Sequence, residues 1–551
     1  MRLLTSAMTS LREAVVAAIK SLLRGRSLIQ AILAFWISPN TLKSQDVEPR
    51  KLLKKNIDDF LKEAETLLIG PIHGGGLRRF SERLKHQFRE GLLSNPACML
   101  PSYNSQLPSG HERGQYLALD VGGSTLRVAL VELRGRGVQG DESVIVQMDS
   151  FKIDNSIRSL RGNAFFAWMA ERIIQTVSKG SKQGQHAHQP LLMGLAWSFP
   201  IQQTSVKGGK LCGMGKGFLA ADGLLGQDLG DIIKLACKQK GLHVELSAIV
   251  NDSGAALLSE AYISSSTRFG LILGTGVNIA VHLPVTTIGQ SKYGDRPDTW
   301  YEKASHVIVN TELGMFGKDI LPLTRWDKLL SAAHPRPDFQ PLEHLVSGYY
   351  LGEVCRLVLV EAIGSTGIFG GVVPPSLLVP YSLDTETLSI IEADSSPSFD
   401  AGRQIFASRH PSPDNTSPST VDIAVLRNLS SYISRRSASI VAASLFALWE
   451  LKAEAEAGFL RGLGPGSAAE SSPFAAETET EINISQTMVA FNGSVIENYP
   501  GYRKNLQAYV DALVDDVAGG EAATTTSIDL VAARESSLLG AAVALASLEG
   551  V

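Results

Sequence analysis

Cysteine is scarce in this chain, with four in 551 residues. Cys98, Cys212, Cys237 and Cys355 are scattered and show no CxxC spacing. A disulfide framework and a zinc ribbon are thereby excluded, a reducing compartment fits, and buried free thiols are expected at all four positions. Net charge is lacking too: 51 Lys and Arg against 55 Asp and Glu leave −4. Nucleic acid is therefore not an expected partner. The apolar run Leu28 to Ile37, LIQAILAFWI, falls short of the roughly 20 residues needed to span a bilayer.

Acid is nearly missing from the N-terminus. Residues 1–38 carry Arg2, Arg12, Lys20, Arg24 and Arg26 against Glu13 alone. Basic, acid-poor, amphipathic composition fits a mitochondrial or membrane-surface segment as well as an extra helix packed on the body. Residues 1–50 are therefore set apart as an extension. The expected location is cytoplasmic, with association to the mitochondrial outer membrane through this extension as its variant.

The bulk of the chain is ordinary for a globular protein, at 44% apolar and 19% charged residues, and long enough for two or more domains. Helical periodicity over Lys51–Leu68 and Leu77–Leu93 predicts a helical lead-in through residue 113. Strands then alternate with helical segments at Asn163–Val177 and Leu225–Lys240, which argues an α/β architecture. Proline- and serine-rich sequence near 395–420 and low-complexity sequence near 462–486 predict flexible inserts. A strand, TMVAFNGSV, and a helix from Ser536 to Leu548 close the chain.

Two glycine hairpins stand out. LALDVGGSTLRVALVEL, from Leu117, and LILGTGVNIAVHL, from Leu271, each set a glycine turn between two apolar strands. One such turn needs glycine for geometry alone. Two, far apart, expose backbone N–H groups that could grip one polyphosphate from both sides, which suggests a two-lobed, nucleotide-dependent phosphotransferase. Asn251 and Asp252 follow a strand and open a helix, where a carboxylate either caps the helix or accepts a hydroxyl proton. Lys216 lies between two glycines, placed to neutralise a transferring phosphoryl. Ser198, Asn278, Glu312 and Glu343 carry the hydroxyl, amide and carboxylate groups that read a polyol.

The series LALDVGGSTLRV, WSFP, GKGF, IVNDSGA, LILGTGVN, NTELGMFG, LVSGYYLGE and FNGSV resembles the eukaryotic hexokinase family, in the family's order, over roughly residues 114–551. The resemblance is to atypical fungal hexokinase-like proteins with an N-terminal extension. It implies the actin-like ATPase (ribonuclease H-like) fold, with two α/β lobes and a central cleft. A small lobe over 114–250, completed by 536–551, would face a large lobe over 251–535. By resemblance, Asp252 is the base and Lys216 its catalytic partner. Ser198, Asn251, Asn278, Glu312 and Glu343 bind a hexose such as glucose. Asp120, Gly122, Gly123, Ser124, Thr125, Arg127, Thr275, Gly276, Gly493 and Ser494 hold ATP, with Asp120 near Mg2+. Departures concentrate on the nucleotide side. Thr125 stands where the family usually has Asn, and Asn492 replaces Asp; on the sugar side Gly215 stands where the family usually has Thr, which removes one sugar hydrogen bond. Glu535-Ser536-Ser537-Leu538 replaces Asp-Gly-Ser-Gly, and Leu538 is expected to crowd a ligand's approach. The resemblance implies an ATP-dependent hexose kinase; a sugar sensor with weak or no activity is the alternative.

Overall fold

A computed structural model describes residues 55–138, 140–180, 190–214, 217–294, 296–462, 473–518 and 526–549. The N-terminal extension, Gly215 and Lys216 lie outside the described residues.

The strands form two principal sheets. In chain order they are β1 (Leu100–Pro101), β2 (Gly114–Val121), β3 (Thr125–Leu133), β4 (Ser143–Lys152), β5 (Leu191–Trp197), β6 (Val244–Val250), β7 (Thr267–Leu273), β8 (Val277–Pro284), β9 (His306–Asn310), β10 (Gln486–Asn492) and β11 (Ser527–Ala532). The first sheet has the order β4-β3-β2-β5-β6, the second β1-β9-β8-β7-β10-β11. Each contains a three-stranded antiparallel meander continued by two parallel strands, and the second adds β1 antiparallel at its meander edge. One folding unit is thus used twice, and a glycine hairpin opens each copy.

The helices include α1 (Ile57–Leu68), α2 (Gly75–Ser94), α3 (Asp252–Ile263), α4 (Gly348–Thr366), α5 (Asp400–Arg409), α6 (Thr420–Gly462), α7 (Pro473–Ile482) and α8 (Ser536–Glu549). α3 follows the last strand of the first sheet yet packs on the second; α8 follows the last strand of the second and packs on the first. The two helices meet between the sheets. Their sequences, DSGAALLSEAYI and SSLLGAAVALASLE, are rich in alanine and other small residues, which favours helix and lets backbones approach. A Cβ at Gly540 would fall 2.1 Å from the Ala255 carbonyl oxygen, and one at Gly270 2.1 Å from that of Ser253. Gly194 on β5 meets Ala541 of α8 in the same way, at 2.1 Å.

Around this centre, α1 buries Phe60, Ala64 and Leu68 at helical spacing and packs with α2 on α6. The 43-residue α6 is an element that periodicity does not announce. Serines interrupt its apolar pattern, yet Ser430, Ser437, Ser439 and Ser444 are buried. The Ser430, Ser439 and Ser444 hydroxyls donate to carbonyls of the preceding turn. Arg436, fully buried, donates to both Asp327 oxygens at 2.7 and 2.8 Å.

Two inserts expected to be flexible contain regular structure. Within 395–420 lies α5, anchored because the Asp394 carboxylate accepts from Ser396 N–H and from Gly402 N–H of the helix. Arg403 also donates to the Pro418 carbonyl. Within 462–486 lies α7. Cys212 is exposed rather than buried, whereas Cys98, Cys237 and Cys355 are buried.

Gly540→Ala is expected to destabilise the protein by about 1–3 kcal/mol through overpacking. Gly364→Ala in α4, where an added Cβ would meet no atom within 4 Å, is expected to stabilise it by up to about 1 kcal/mol. Thermal melts of both variants check the contrast; equal shifts would contradict the packing described.

Candidate active site

The carboxyl ends of β2, β5 and β6 form one edge. Register pairs Asp120 with Ala196 and Ala196 with Val250, so Asp120, Ser198 and Asn251-Asp252 emerge side by side. The β2–β3 turn is closed by Gly122 N–H donating to the Thr125 carbonyl at 3.0 Å, and Arg158 donates to the Gly123 carbonyl at 2.9 Å. Ser124 is exposed, with its hydroxyl 3.5 Å from that of Thr125. Ser198 N–H donates to the Val121 carbonyl at 3.3 Å, which fixes Ser198 beside the turn. Asn251 caps α3 by accepting from Gly254 N–H at 2.9 Å. Asp252 opens that helix and accepts from Ser253 N–H at 2.8 Å, where the helix dipole favours a carboxylate.

Asp120 is held by Arg127, which donates to Oδ2 at 2.6 and 2.9 Å and to Glu535 at 2.7 Å. Burial raises the Asp120 carboxyl above its ordinary range, and the Arg127 guanidinium works against that rise. Glu535 sits at φ 48°, an uncommon conformation for a residue with a side chain. It lies where the chain passes from β11 into α8, so the ion-pair triad ties that crossover to the first sheet.

The second edge comes from β7, β8 and β10. Register places Asn278, Ile272 and Asn492 in one row, with the Gly274–Gly276 turn and Gly493-Ser494 just beyond. Gly493 is at φ 131°, and a Cβ there would lie 2.4 Å from the Leu273 carbonyl oxygen; glycine alone suits both. Thr275 accepts at its carbonyl from Tyr349 N–H, and Gly274 from Gly348 N–H, so α4 begins against this turn. Gly276 lies close to the Glu343 carboxylate: a Cβ there would be 3.0 Å from it. Glu343 in turn accepts from Val277 N–H at 3.2 Å.

Asn278 lies in a short amide relay. Its Nδ2 donates to Asn310 Oδ1 at 2.7 Å, and Asn310 Nδ2 donates to Glu312 Oε1 at 2.8 Å. Asn310 escaped the sequence reading, although it lies two residues before Glu312 in the same motif. Burial raises the Glu312 carboxyl above its ordinary range, the Asn310 amide opposes the rise, and the negative Asp252 adds to it. α3, which opens at Asp252 on the first edge, packs on β7 and β8 of the second, and that packing brings the two edges together. Among the described residues no cluster of three His, Cys, Asp or Glu side chains is arranged to hold a metal. Leu538 does not crowd an approach: it is fully buried in the core around α3 and α8.

Two sequence models described as Hexokinase match this chain, over residues 72–262 and 268–547. The chain belongs to the hexokinase family. With it come the hexose phosphotransferase class and the two-lobed actin-like ATPase fold. The hexokinase of Schwanniomyces occidentalis is 30% identical over 71% of this chain and 78% of its own length. Hexokinase-2 of Oryza sativa subsp. japonica is 28% identical over 89% of this chain and 91% of its own. Among solved structures, the Schistosoma mansoni hexokinase complexed with glucose superposes with a TM-score of 0.68 at 25% identity, over 90% of this chain and all of the other.

The raised Glu312 carboxyl carries a sign that can be measured. The folded state takes up its proton at higher pH than the unfolded chain does, so this group costs stability as pH rises through that window. Glu312→Gln is expected to raise the melting temperature at neutral pH and to shrink the difference from wild type below the ordinary carboxylate range. A pH series of melts checks it; a variant less stable at neutral pH than at acid pH, relative to wild type, would contradict it.

Proposed function

We propose that the chain transfers the γ-phosphate of Mg-ATP to the primary hydroxyl of a hexose such as glucose. The observation that carries the reading is the packing of α3 on β7 and β8, which brings the helix start at Asn251-Asp252 to the sheet that carries Asn278 and Asn310. In this reading the Asn278–Asn310–Glu312 relay, Ser198, Asn251 and Glu343 orient the sugar hydroxyls. Asp252 accepts the proton of the attacking hydroxyl. Lys216, from its place between two glycines, and the backbone N–H groups of the turns at Gly122-Gly123-Ser124 and Gly274-Thr275-Gly276 stabilise charge on the moving phosphoryl. Gly493 and Ser494 extend that second turn. Bound Mg-ATP supplies the phosphoryl group. The donor set suits a magnesium ion that keeps waters and phosphate oxygens and takes one protein carboxylate, Asp120. Glucose is favoured because the Schistosoma relative is complexed with it.

One observation favours the sensor reading instead. Arg127 already engages Asp120 and Glu535, so the carboxylate assigned to magnesium is held in an ion pair, whereas the groups assigned to the sugar are tied by neutral amides. Purified protein given glucose, fructose or mannose with Mg-ATP distinguishes the two. The kinase reading predicts a sugar phosphate whose formation falls about 10²–10⁴-fold in Asp252→Ala. No product above that variant's background sinks it, and saturable glucose binding without turnover then supports the sensor.

A further inference from the structure

At the far end of α3 from Asp252 lies a cavity of about 700 Å³. One wall is the segment Ser105–Pro108, part of the connection from β1 in the second sheet to β2 in the first; another is α7. The rim is polar, with the hydroxyls of Ser266, Ser305 and Thr480 and the carboxamides of Gln106 and Gln486.

The deepest wall residue is His282 on β8, only 2% exposed. Among the described residues neither of its ring nitrogens has a hydrogen-bond partner. It stacks on His306, centroid to centroid 4.9 Å, whose Nε2 lies 3.4 Å from Glu456 but makes no hydrogen bond. Buried polar atoms without partners are uncommon and each is costly, so an imidazole in the cavity wall with both nitrogens unmatched points to a polar occupant.

Charge narrows the class. Arg268 donates to Glu481 at 2.5 Å and to the Ser265 and Thr267 carbonyls. Lys452 is shared by Glu456 and Glu481, and Arg136 donates to the Tyr262, Ser109 and Ala261 carbonyls. These cations are already engaged, while Glu477 remains at the rim, so an anion has little to hold it. An apolar occupant would leave the histidine unmatched. Burial first, and the His306 ring next, keep His282 neutral; a neutral imidazole offers one donor and one acceptor, which paired hydroxyls satisfy.

We propose that this cavity is a second binding site, separate from the Asp252 cleft, for a neutral polyhydroxylated ligand of the hexose or sugar-alcohol class. Its wall includes a segment that runs between the sheets, so occupancy and the disposition of the lobes are linked, and the linkage acts in both directions.

Calorimetric titration of the full chain with glucose tests this. Thr480→Trp, at an exposed α7 position, fills the mouth without entering the core; Asn278→Ala disables the cleft. Wild type is expected to need two sites. Thr480→Trp should retain the cleft site and weaken the other by more than about tenfold, and Asn278→Ala should retain only the site that Thr480→Trp removes. Ser266→Trp repeats the test from the opposite wall. A single site that Asn278→Ala abolishes, or two sites that both tryptophans leave unchanged, overturns the proposal. A Trp-sensitive site retained in a protein that phosphorylates no sugar would count against the kinase reading alone.

Discussion

The backbone contact between α3 and α8 is the constraint on which the rest depends. Each helix follows one sheet and is buried on the other, so neither half of the described fold has a complete core without a helix from its partner. Gly540, Gly270 and Gly194 set how closely these layers approach. The distance between the sheets is therefore a matter of backbone against backbone, with little side-chain slack. Any relative motion of the lobes must pivot around this pair rather than separate it.

That constraint also explains where the chemistry sits. α3 begins at Asn251-Asp252, at the carboxyl edge of the first sheet, and its flank lies on the second. The same rigid element thus joins the edge carrying Asp120 and Asp252 to the edge carrying Asn278. The crossover into α8 does the corresponding work on the nucleotide side, where Glu535 grips Arg127 and, through it, Asp120. In the proposed function the groups assigned to the sugar are tied by neutral amides, whereas those assigned to the phosphates are tied by charge. In the proposed reaction the first set orients hydroxyls and the second has to exchange an internal ion pair for phosphate contacts.

What the sequence made legible is local. Glycine turns, strand alternation and a polar pair at a strand end are written within a dozen residues, and both hairpins lie where those signals put them. What it concealed is set by distant partners. The Arg127–Glu535 pair joins positions 408 apart. Gly276 packs against the Glu343 carboxylate, 66 residues from its Val277 neighbour, and Asn310 matters only because the register of β8 and β9 sets it beside Asn278. α6 was hidden for another reason: a helix buried along much of its length, with serines bonded back to its own carbonyls, has no polar face to give it a period. Leu538 misled because the resemblance set it against a glycine of a nucleotide loop, while its side chain belongs to the core.

The central claim is that two sheet edges, held by one helix pair, form a single sugar site. Hydrogen exchange of the full chain with and without saturating glucose tests it most directly. The account predicts slowed exchange in both the Asn251–Leu257 and the Asn310–Phe316 backbone segments at the same glucose concentration. Protection of one segment without the other, or of neither, would contradict it.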